Sequence, residues 1–150
     1  MKLFTTAALA AVTLFGAAPA LAQFSGDWNE LIRTRDLTGS PVYTTNEAHD
    51  EGSWGAADGD YMWGWSGYEG VDDNWNHIGE IEDVVLTKSG DLRGFVVEVG
   101  GFLDIGDKHV FLQVEDVELT PEGDEDYVLV TRYSEEELES MEGVNEAWWE

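Results

Sequence analysis

The chain has 150 residues and no cysteine, and its 7 Lys and Arg face 32 Asp and Glu, a formal net charge of −25. This length indicates one domain, and the lack of cysteine excludes disulfides and a lipid-anchored lipoprotein. Such an acidic chain repels phosphate backbones and anionic lipid, so nucleic acid and acidic membrane surfaces are excluded as expected partners. The charge favours cations, basic protein patches, or simply a hydrated, salt-tolerant surface.

The N-terminal segment MKLFTTAALAAVTLFGAAPALAQF has the composition of a secretory signal peptide over residues 1–22. Lys2 is the basic residue, residues 3–15 are apolar, and Ala20-Leu21-Ala22 precedes a predicted cleavage before Gln23. The apolar run is short and Ala-rich for a membrane-spanning helix, which disfavours an uncleaved anchor. We therefore expect a periplasmic or secreted soluble protein, without stable membrane insertion, whose net charge is −26 once Lys2 is removed.

The first part of the mature chain combines a lead-in, one strand and a long insertion. Residues 23–36 form the lead-in, with a predicted helical turn around Trp28, Leu31 and Ile32. Residues 37–43 read as a first strand, in which Pro41 is tolerated only at a sheet edge or a strand start. Residues 44–77 are rich in Gly, Asp and Trp and show no helical or strand period, so we predict a long loop insertion there.

Regular strands resume at Ile78. GEIEDVVLT and LRGFVVEVG are separated by KSGD, which predicts a β-hairpin, and the alternation of the second run places Phe95, Val97 and Val99 on one face. A strand is predicted to start at His109 and to continue to Leu119, and a last strand covers residues 127–132. Ser134-Glu-Glu-Glu is a capping-box pattern, which predicts a short helix to about Met141.

These short strands, separated by turns and accompanied by almost no helix, predict an all-β fold, a small barrel or sandwich. The predicted domain covers residues 37–142, with the insertion at 44–77 and a short C-terminal helix. The tail, residues 143–150, carries two further tryptophans and either packs on the domain or frays.

Three stretches together resemble the PRC-barrel family: DLTGSPVY, then HIGEIEDVVLTKSGDLRGFVVEVGGFLDIGDKHVFLQVEDVEL, then YVLVTRYSEEELE. This small β-barrel occurs in the photosynthetic reaction-centre H subunit and in the ribosome-maturation factor RimM, and the present chain is most similar to exported, stand-alone bacterial members. The resemblance implies a binding or assembly module rather than a catalyst. The chain departs from the family pattern at two places. Asp104 stands where relatives carry glycine, and the aromatic insertion is longer than a minimal barrel needs.

The residues themselves offer no support for catalysis, so we predict that the protein is not an enzyme. There is no Cys and no G-x-S-x-G elbow. The three histidines, His49, His77 and His109, are scattered along the chain, and each is better explained as a surface or packing residue than as a catalytic base. GGFLDIGD lacks the Lys-Ser/Thr pair and the following helix of a phosphate-binding loop.

A hard-cation site in the insertion is one alternative function, because hard cations such as Ca²⁺ take several oxygen ligands from a loop that wraps around them. Counting Asp58 as position 1 of a calcium loop puts Ser66 at position 9, but Met62 and Trp63 stand where an oxygen ligand and a glycine belong. No helices flank the loop, and the competing interpretation is a solvated acidic loop without an ion. Zinc is less expected, since no thiolate exists. The candidate metal ligands are Asp58, Asp60, Glu69, Asp72 and Asp73.

The aromatic residues of the insertion have three interpretations. They cap an open end of the barrel as a satellite core, present a stacking platform for a sugar, or anchor a protein partner, since Trp and Tyr dominate binding energy at interfaces. The candidate partner- or ligand-binding residues are Trp54, Tyr61, Trp63, Trp65, Tyr68 and Trp75. The leading hypothesis is a periplasmic module that recognises a protein partner, with an envelope cation binder and a carbohydrate binder as alternatives.

Overall fold

The computed structural model describes residues 24–45, 47–49, 54, 68–100, 108–123 and 126–149. The chain divides into two units, Met1–Glu30 and Leu31–Glu150. In the described residues of the first unit, a 3-10 turn spans Trp28–Glu30, and the rings of Phe24 and Trp28 lie 4.6 Å apart. The predicted signal peptide lies outside the described residues. Nowhere in the described part of the chain is a helix both long and apolar enough to cross a bilayer.

The second unit is mostly β, as predicted. In the part of the unit that the structure describes, three short helices accompany six strands, and a 3-10 turn at Val114–Asp116 separates the fourth strand from the fifth. In chain order the elements are α1 (Thr34–Leu37), β1 (Pro41–Thr44), β2 (Asn76–Leu86), β3 (Leu92–Val99), β4 (Lys108–Gln113), β5 (Val117–Glu122), β6 (Asp126–Thr131), α2 (Glu135–Ser140) and α3 (Glu146–Trp149).

The six strands form one mixed sheet in the order β4-β3-β2-β1-β6-β5. All neighbours are antiparallel except β1 and β6, which run parallel. Edge strands β4 and β5 are joined only by the 3-10 turn, so Gln113 and Val117 lie within about 14 Å of each other, the most that four extended residues span. The sheet therefore curls until its edges approach at this corner. Within the described residues no ladder joins β4 to β5, so closure of the predicted barrel is not confirmed.

The first strand starts later than predicted. Leu37 was expected to begin it, but this residue ends α1, where the amide of Thr38 donates to the carbonyl of Thr34, and its side chain is buried in the core. Gly39 then turns the chain with φ +82°, a conformation that favours glycine. Pro41 is the first residue of β1, one of the two positions that its missing N–H allows. The strand therefore occupies the middle of the sheet despite its proline.

The prediction of one strand from His109 to Leu119 is wrong. The chain leaves the sheet as the 3-10 turn and re-enters it as β5 at the opposite edge. Asp116 holds this turn against the end of β6: its carbonyl accepts from the amide of Arg132 at 3.1 Å and from Thr131 Oγ1 at 3.3 Å. These are long-range contacts, which the local pattern of apolar residues did not reveal.

The predicted hairpin of β2 and β3 is confirmed. Gly90 in its turn has φ +100°, and Phe95, Val97 and Val99 face the core as expected, each at most 1% exposed. The main core lies on this inner face of the sheet and is completed by one residue from each of α1 and α2. Its buried members are Leu37, Val42, Ile78, Ile81, Phe95, Val97, Val99, Val110, Leu112, Val117, Leu119, Leu129 and Leu138.

The capping box at the start of α2 is also confirmed. Ser134 Oγ accepts from the amide of Glu137, whose carboxylate accepts from the amide of Ser134, and Leu138 is fully buried. The following segment attaches to the edge of β4, because Gly143 bridges Val110 and the amide of Val144 donates to the carbonyl of His109. The tail is therefore held along β4 at residues 143–144.

Candidate functional site

Four aromatic rings meet on the outer face of the sheet. They come from β1, from the segment that precedes β2, and from β2 itself. Tyr43 of β1 lies 5.4 Å from His77 of β2 and 6.4 Å from Trp75, and Tyr68 meets Trp75 edge-on at 4.7 Å, all between ring centroids. Tyr43, Tyr68 and Trp75 are half-buried and His77 is exposed, so this aromatic cluster presents part of its area to solvent.

A local turn sets the position of Trp75 in the aromatic cluster. Asp72 Oδ1 accepts from both the amide and the side-chain Nδ2 of Asn74, at 2.8 and 2.7 Å, and the amide of Trp75 donates to the carbonyl of Asp72 at 3.0 Å. An Asp side chain that bonds the backbone two residues on is a usual way to make such a turn. The chain thus enters β2 at Asn76 with Trp75 already aimed at Tyr43.

A buried ion pair fastens the start of the insertion to the body of the domain. Arg132 Nε donates to Asp116 Oδ1 at 2.6 Å, with the two side chains 16% and 5% exposed. The same guanidinium donates to the carbonyl of His49 and to the hydroxyl of Tyr133, at 3.1 and 2.9 Å, while the amide of His49 donates to the carbonyl of Arg132. We call these four residues, His49, Asp116, Arg132 and Tyr133, the clamp.

Burial changes the protonation behaviour of two tyrosines beside these features. In the clamp, burial and then a hydrogen bond with the Asp116 carboxylate raise the pKa of Tyr133 to about 12. In the aromatic cluster, burial and the nearby carboxylate of Glu118 raise the pKa of Tyr68. Both phenols therefore keep their proton to a higher pH than an exposed tyrosine does.

Residues 67–136 match the family model of the PRC-barrel domain. This stretch, just under half of the chain, is similar to the PRC-barrel domain. The match covers β2 to β6 and the start of α2, whereas β1 precedes it in the chain, although β1 lies between β2 and β6 in the sheet. No curated protein matches the chain. PRC-barrel domains are generally non-catalytic, and the fold is that of a small β module.

Half of the aromatic residues proposed for binding fall within the described part of the chain. Tyr68 and Trp75 meet in the aromatic cluster. Trp54 is 5% exposed, its ring lies 5.2 Å from that of His49, and its indole Nε1 is buried without a hydrogen-bond partner in the described structure. Its burial fits the satellite-core interpretation for this one residue. Tyr61, Trp63 and Trp65 lie outside the described residues, so their role stays a prediction.

The proposed calcium ligands are only partly described. Glu69, Asp72 and Asp73 are exposed, and Asp72 already orders the turn before Trp75. Asp58 and Asp60 lie outside the described residues, so the loop site stays a prediction. Among the residues that the structure describes, one group of three places its ligand atoms within 4.8 Å of one another: Glu82, Glu98 and His109.

The sequence analysis identified neither the clamp nor the group of Glu82, Glu98 and His109, and the reason is the same for both. Each joins residues that are far apart in the chain, so no spacing motif contains them. The register of β3 and β4 could have paired Glu98 with His109, since an expected antiparallel strand pair places one opposite the other. Asp116 could have been suspected as a turn residue, but its partner Arg132 required the order of the strands.

Proposed function

We propose that the protein is a non-catalytic binding and assembly module of the bacterial envelope that recognises a protein partner through the aromatic cluster. The observation that carries the proposal is the cluster itself: Tyr43, Tyr68 and Trp75 are held by contacts from different elements, yet each keeps part of its surface in solvent. Tyr and Trp are the residues that dominate binding energy at protein interfaces, and rigid side chains lose little entropy on binding.

The charge of the chain indicates what kind of protein this partner is. Exposed carboxylates Glu69, Asp72 and Asp73 border the aromatic residues in the chain, and the net charge of −25 extends the negative field beyond them. A partner with a basic surface around an apolar centre complements this arrangement, and opposite charges accelerate association at low salt. The secretory character of residues 1–22 supports a location in the periplasm or outside the cell.

The experiment is a quantitative capture from envelope extract on the immobilised mature chain, residues 23–150. Tyr68→Ala and Trp75→Ala remove cluster rings, and Trp148→Ala removes a tryptophan that is 61% exposed on α3. We expect a specific protein to be retained by the wild type and by Trp148→Ala and lost from both cluster variants, because a central aromatic residue contributes about 2 kcal/mol or more.

Two further measurements make this outcome decisive. Thermal unfolding of each variant shows that the domain remains folded, and the milder Trp75→Phe keeps a ring where full truncation is too disruptive. Retention should weaken as salt rises, since the proposed attraction is partly between charges. If the cluster variants retain the same proteins as the wild type in equal amounts, the aromatic cluster is not the recognition surface.

A further inference from the structure

Three side chains of the type that ligate metals converge on the outer face of the sheet, at β2, β3 and β4. The carboxylate oxygens of Glu82 and Glu98 and a ring nitrogen of His109 all lie within 4.8 Å of one another. Glu98 and His109 are half-buried and directly opposite each other in the β3–β4 ladder. These residues come from three strands of the rigid sheet rather than from the insertion.

The backbone of β2 explains how Glu82 joins this pair. The ladder passes from Ile81 opposite Val97 to Asp83 opposite Val96, so Glu82 is the extra residue of a β-bulge. Bulges bend a strand and redirect a side chain, and they occur often beside functional sites. Here the redirected side chain is the third one of the group.

A glycine fixes the strand spacing at the same place. Gly79 of β2 has φ +155°, and a Cβ at this position would lie 1.8 Å from the carbonyl oxygen of Glu98. The absence of a side chain therefore lets β2 approach the backbone of β3 at Glu98. The two strands that carry Glu82 and Glu98 are thus held close together, as a site with defined geometry requires.

The electrostatics of this face favour a bound cation. Glu80 of β2 stands directly opposite Glu98 of β3, and Glu82 adds a third carboxylate within two residues of Glu80. Like charges directly opposite each other destabilise a strand pair. A divalent cation bound to Glu82 and Glu98 offsets this repulsion.

We propose that Glu82, Glu98 and His109 bind one divalent transition-metal ion of the zinc class. Two carboxylate oxygens and one imidazole nitrogen are a donor set that suits Zn²⁺, Co²⁺ or Mn²⁺, whereas Ca²⁺ and Mg²⁺ prefer oxygen donors alone. Ligands at about 2.0 Å from a tetrahedral ion stand about 3.3 Å apart, so small side-chain rotations close the observed group around it. This site is distinct from the loop predicted for Ca²⁺, and it does not depend on the proposed protein partner.

Three protein ligands leave at least one coordination position open. A groove of about 260 Å³ adjoins the group, with Glu98 in its lining together with His77, Gly79, Glu80 and Gly100. Water or a donor atom of another molecule reaches the ion from this side. The arrangement therefore fits an accessible ion more closely than a closed structural site, in which four protein ligands surround zinc.

The test is a titration of the metal-free, purified mature protein with Zn²⁺, followed by calorimetry and thermal unfolding, with Co²⁺ as a spectroscopic probe. We expect one equivalent of Zn²⁺ to bind and to raise the melting temperature, because an ion that binds only the folded state stabilises it. Co²⁺ should give visible absorption bands of mixed nitrogen and oxygen coordination. Millimolar Mg²⁺ should not displace the bound ion.

Variants assign the ligands. His109→Gln, Glu98→Gln and Glu82→Gln should each weaken Zn²⁺ binding at least about tenfold, since even the loss of a residue that only orients a ligand costs about 10–100-fold. The matched control is Asp83→Asn, which removes one negative charge next to Glu82 but lies outside the group and bonds the amide of Val84. It should keep the wild-type affinity.

A second control, Asp72→Asn with Asp73→Asn, removes charge from the insertion instead. The proposal is overturned if the wild type binds no stoichiometric Zn²⁺, if the three ligand variants bind as tightly as the wild type, or if the Asp72/Asp73 variant loses binding while they keep it. Melting curves in EDTA establish that each variant is folded. None of these results bears on the partner capture, so the two proposals fail independently.

Discussion

The outer faces of the two halves of the sheet differ sharply. On β5 and β6, Glu118, Thr120, Val128 and Val130 point away from the main core, yet all are at most 4% exposed. On β2 and β4, the equivalent outer positions include Glu80 and Gln113, which are exposed, and His109, which is half-buried, although Val96 of the central strand β3 is fully buried. We call the β1-β6-β5 half the covered wing and the β2-β3-β4 half the open wing.

The covered wing and the open wing have different roles in the molecule. The covered wing is where Tyr68 lies near Glu118 and where the clamp ties His49 to Arg132, so the ends of the insertion are anchored on this side. The open wing keeps ordinary polar and acidic side chains toward solvent and places Glu82, Glu98 and His109 together. The buried ion pair therefore lies on one wing, and the candidate ion site lies on the other.

The largest difference in stability between the two wings is expected for variants of the clamp. Arg132→Met leaves the Asp116 carboxylate buried without its cation, and breaking a buried pair in this way costs about 3–5 kcal/mol. The matched variant Arg93→Met removes a cation of the open wing whose contact with Glu115 is 3.8 Å long and half exposed on both sides, so it should cost under about 1 kcal/mol. Urea unfolding monitored by tryptophan fluorescence measures both.

A double variant sharpens the interpretation of the clamp. Replacing both partners, Asp116→Leu with Arg132→Met, removes the unpaired charge and should recover most of the stability lost by Arg132→Met alone. Equal losses for Arg132→Met and Arg93→Met would mean that the clamp is no stronger than a surface ion pair, and the contrast between the wings would lose its main support.

A smaller effect tests burial on the outer faces directly. Val130→Ala removes two methyl groups from a fully buried position of the covered wing and should cost about 2 kcal/mol, as lost transfer energy plus a cavity. Leu86→Ala truncates a side chain that is 52% exposed on the open wing and should cost under about 1 kcal/mol. Differential unfolding in urea gives the two values, and a reversed order would contradict the assignment of covered and open faces.

The smallest effect concerns pH and is confined to alkaline solution. Because the pKa of Tyr133 is raised from 10 to about 12 in the folded state, the unfolded chain loses this proton first as the pH rises. The stability that Tyr133 contributes is fully present below pH 10 and declines as the pH rises toward 12. Unfolding free energies measured from pH 9 to 12 should therefore fall more steeply for the wild type than for Tyr133→Phe. Parallel slopes would contradict the buried environment of this phenol.

Local patterns predicted the elements whose contacts are close in the chain. The β2–β3 hairpin follows from two alternating runs around a glycine turn, and α2 follows from the capping box at Ser134, in which donor and acceptor are three residues apart. The same reasoning failed between His109 and Leu119, where apolar residues stand on both sides of the corner at Val114–Asp116 and the whole segment was predicted as one strand. That corner is held by Asp116 through Thr131 and Arg132, which only the folded chain brings near.

The sequence by itself determined that the chain is acidic, free of cysteine, mostly β, and similar to PRC-barrel domains, because composition, periodicity and motif are written into neighbouring residues. Tertiary structure alone decided which wing is covered, where the buried ion pair forms, and which acidic side chains meet a histidine. The strand order and a bulge in β2 bring these side chains into contact. Neither can be read from the sequence, because both depend on hydrogen bonds between distant segments.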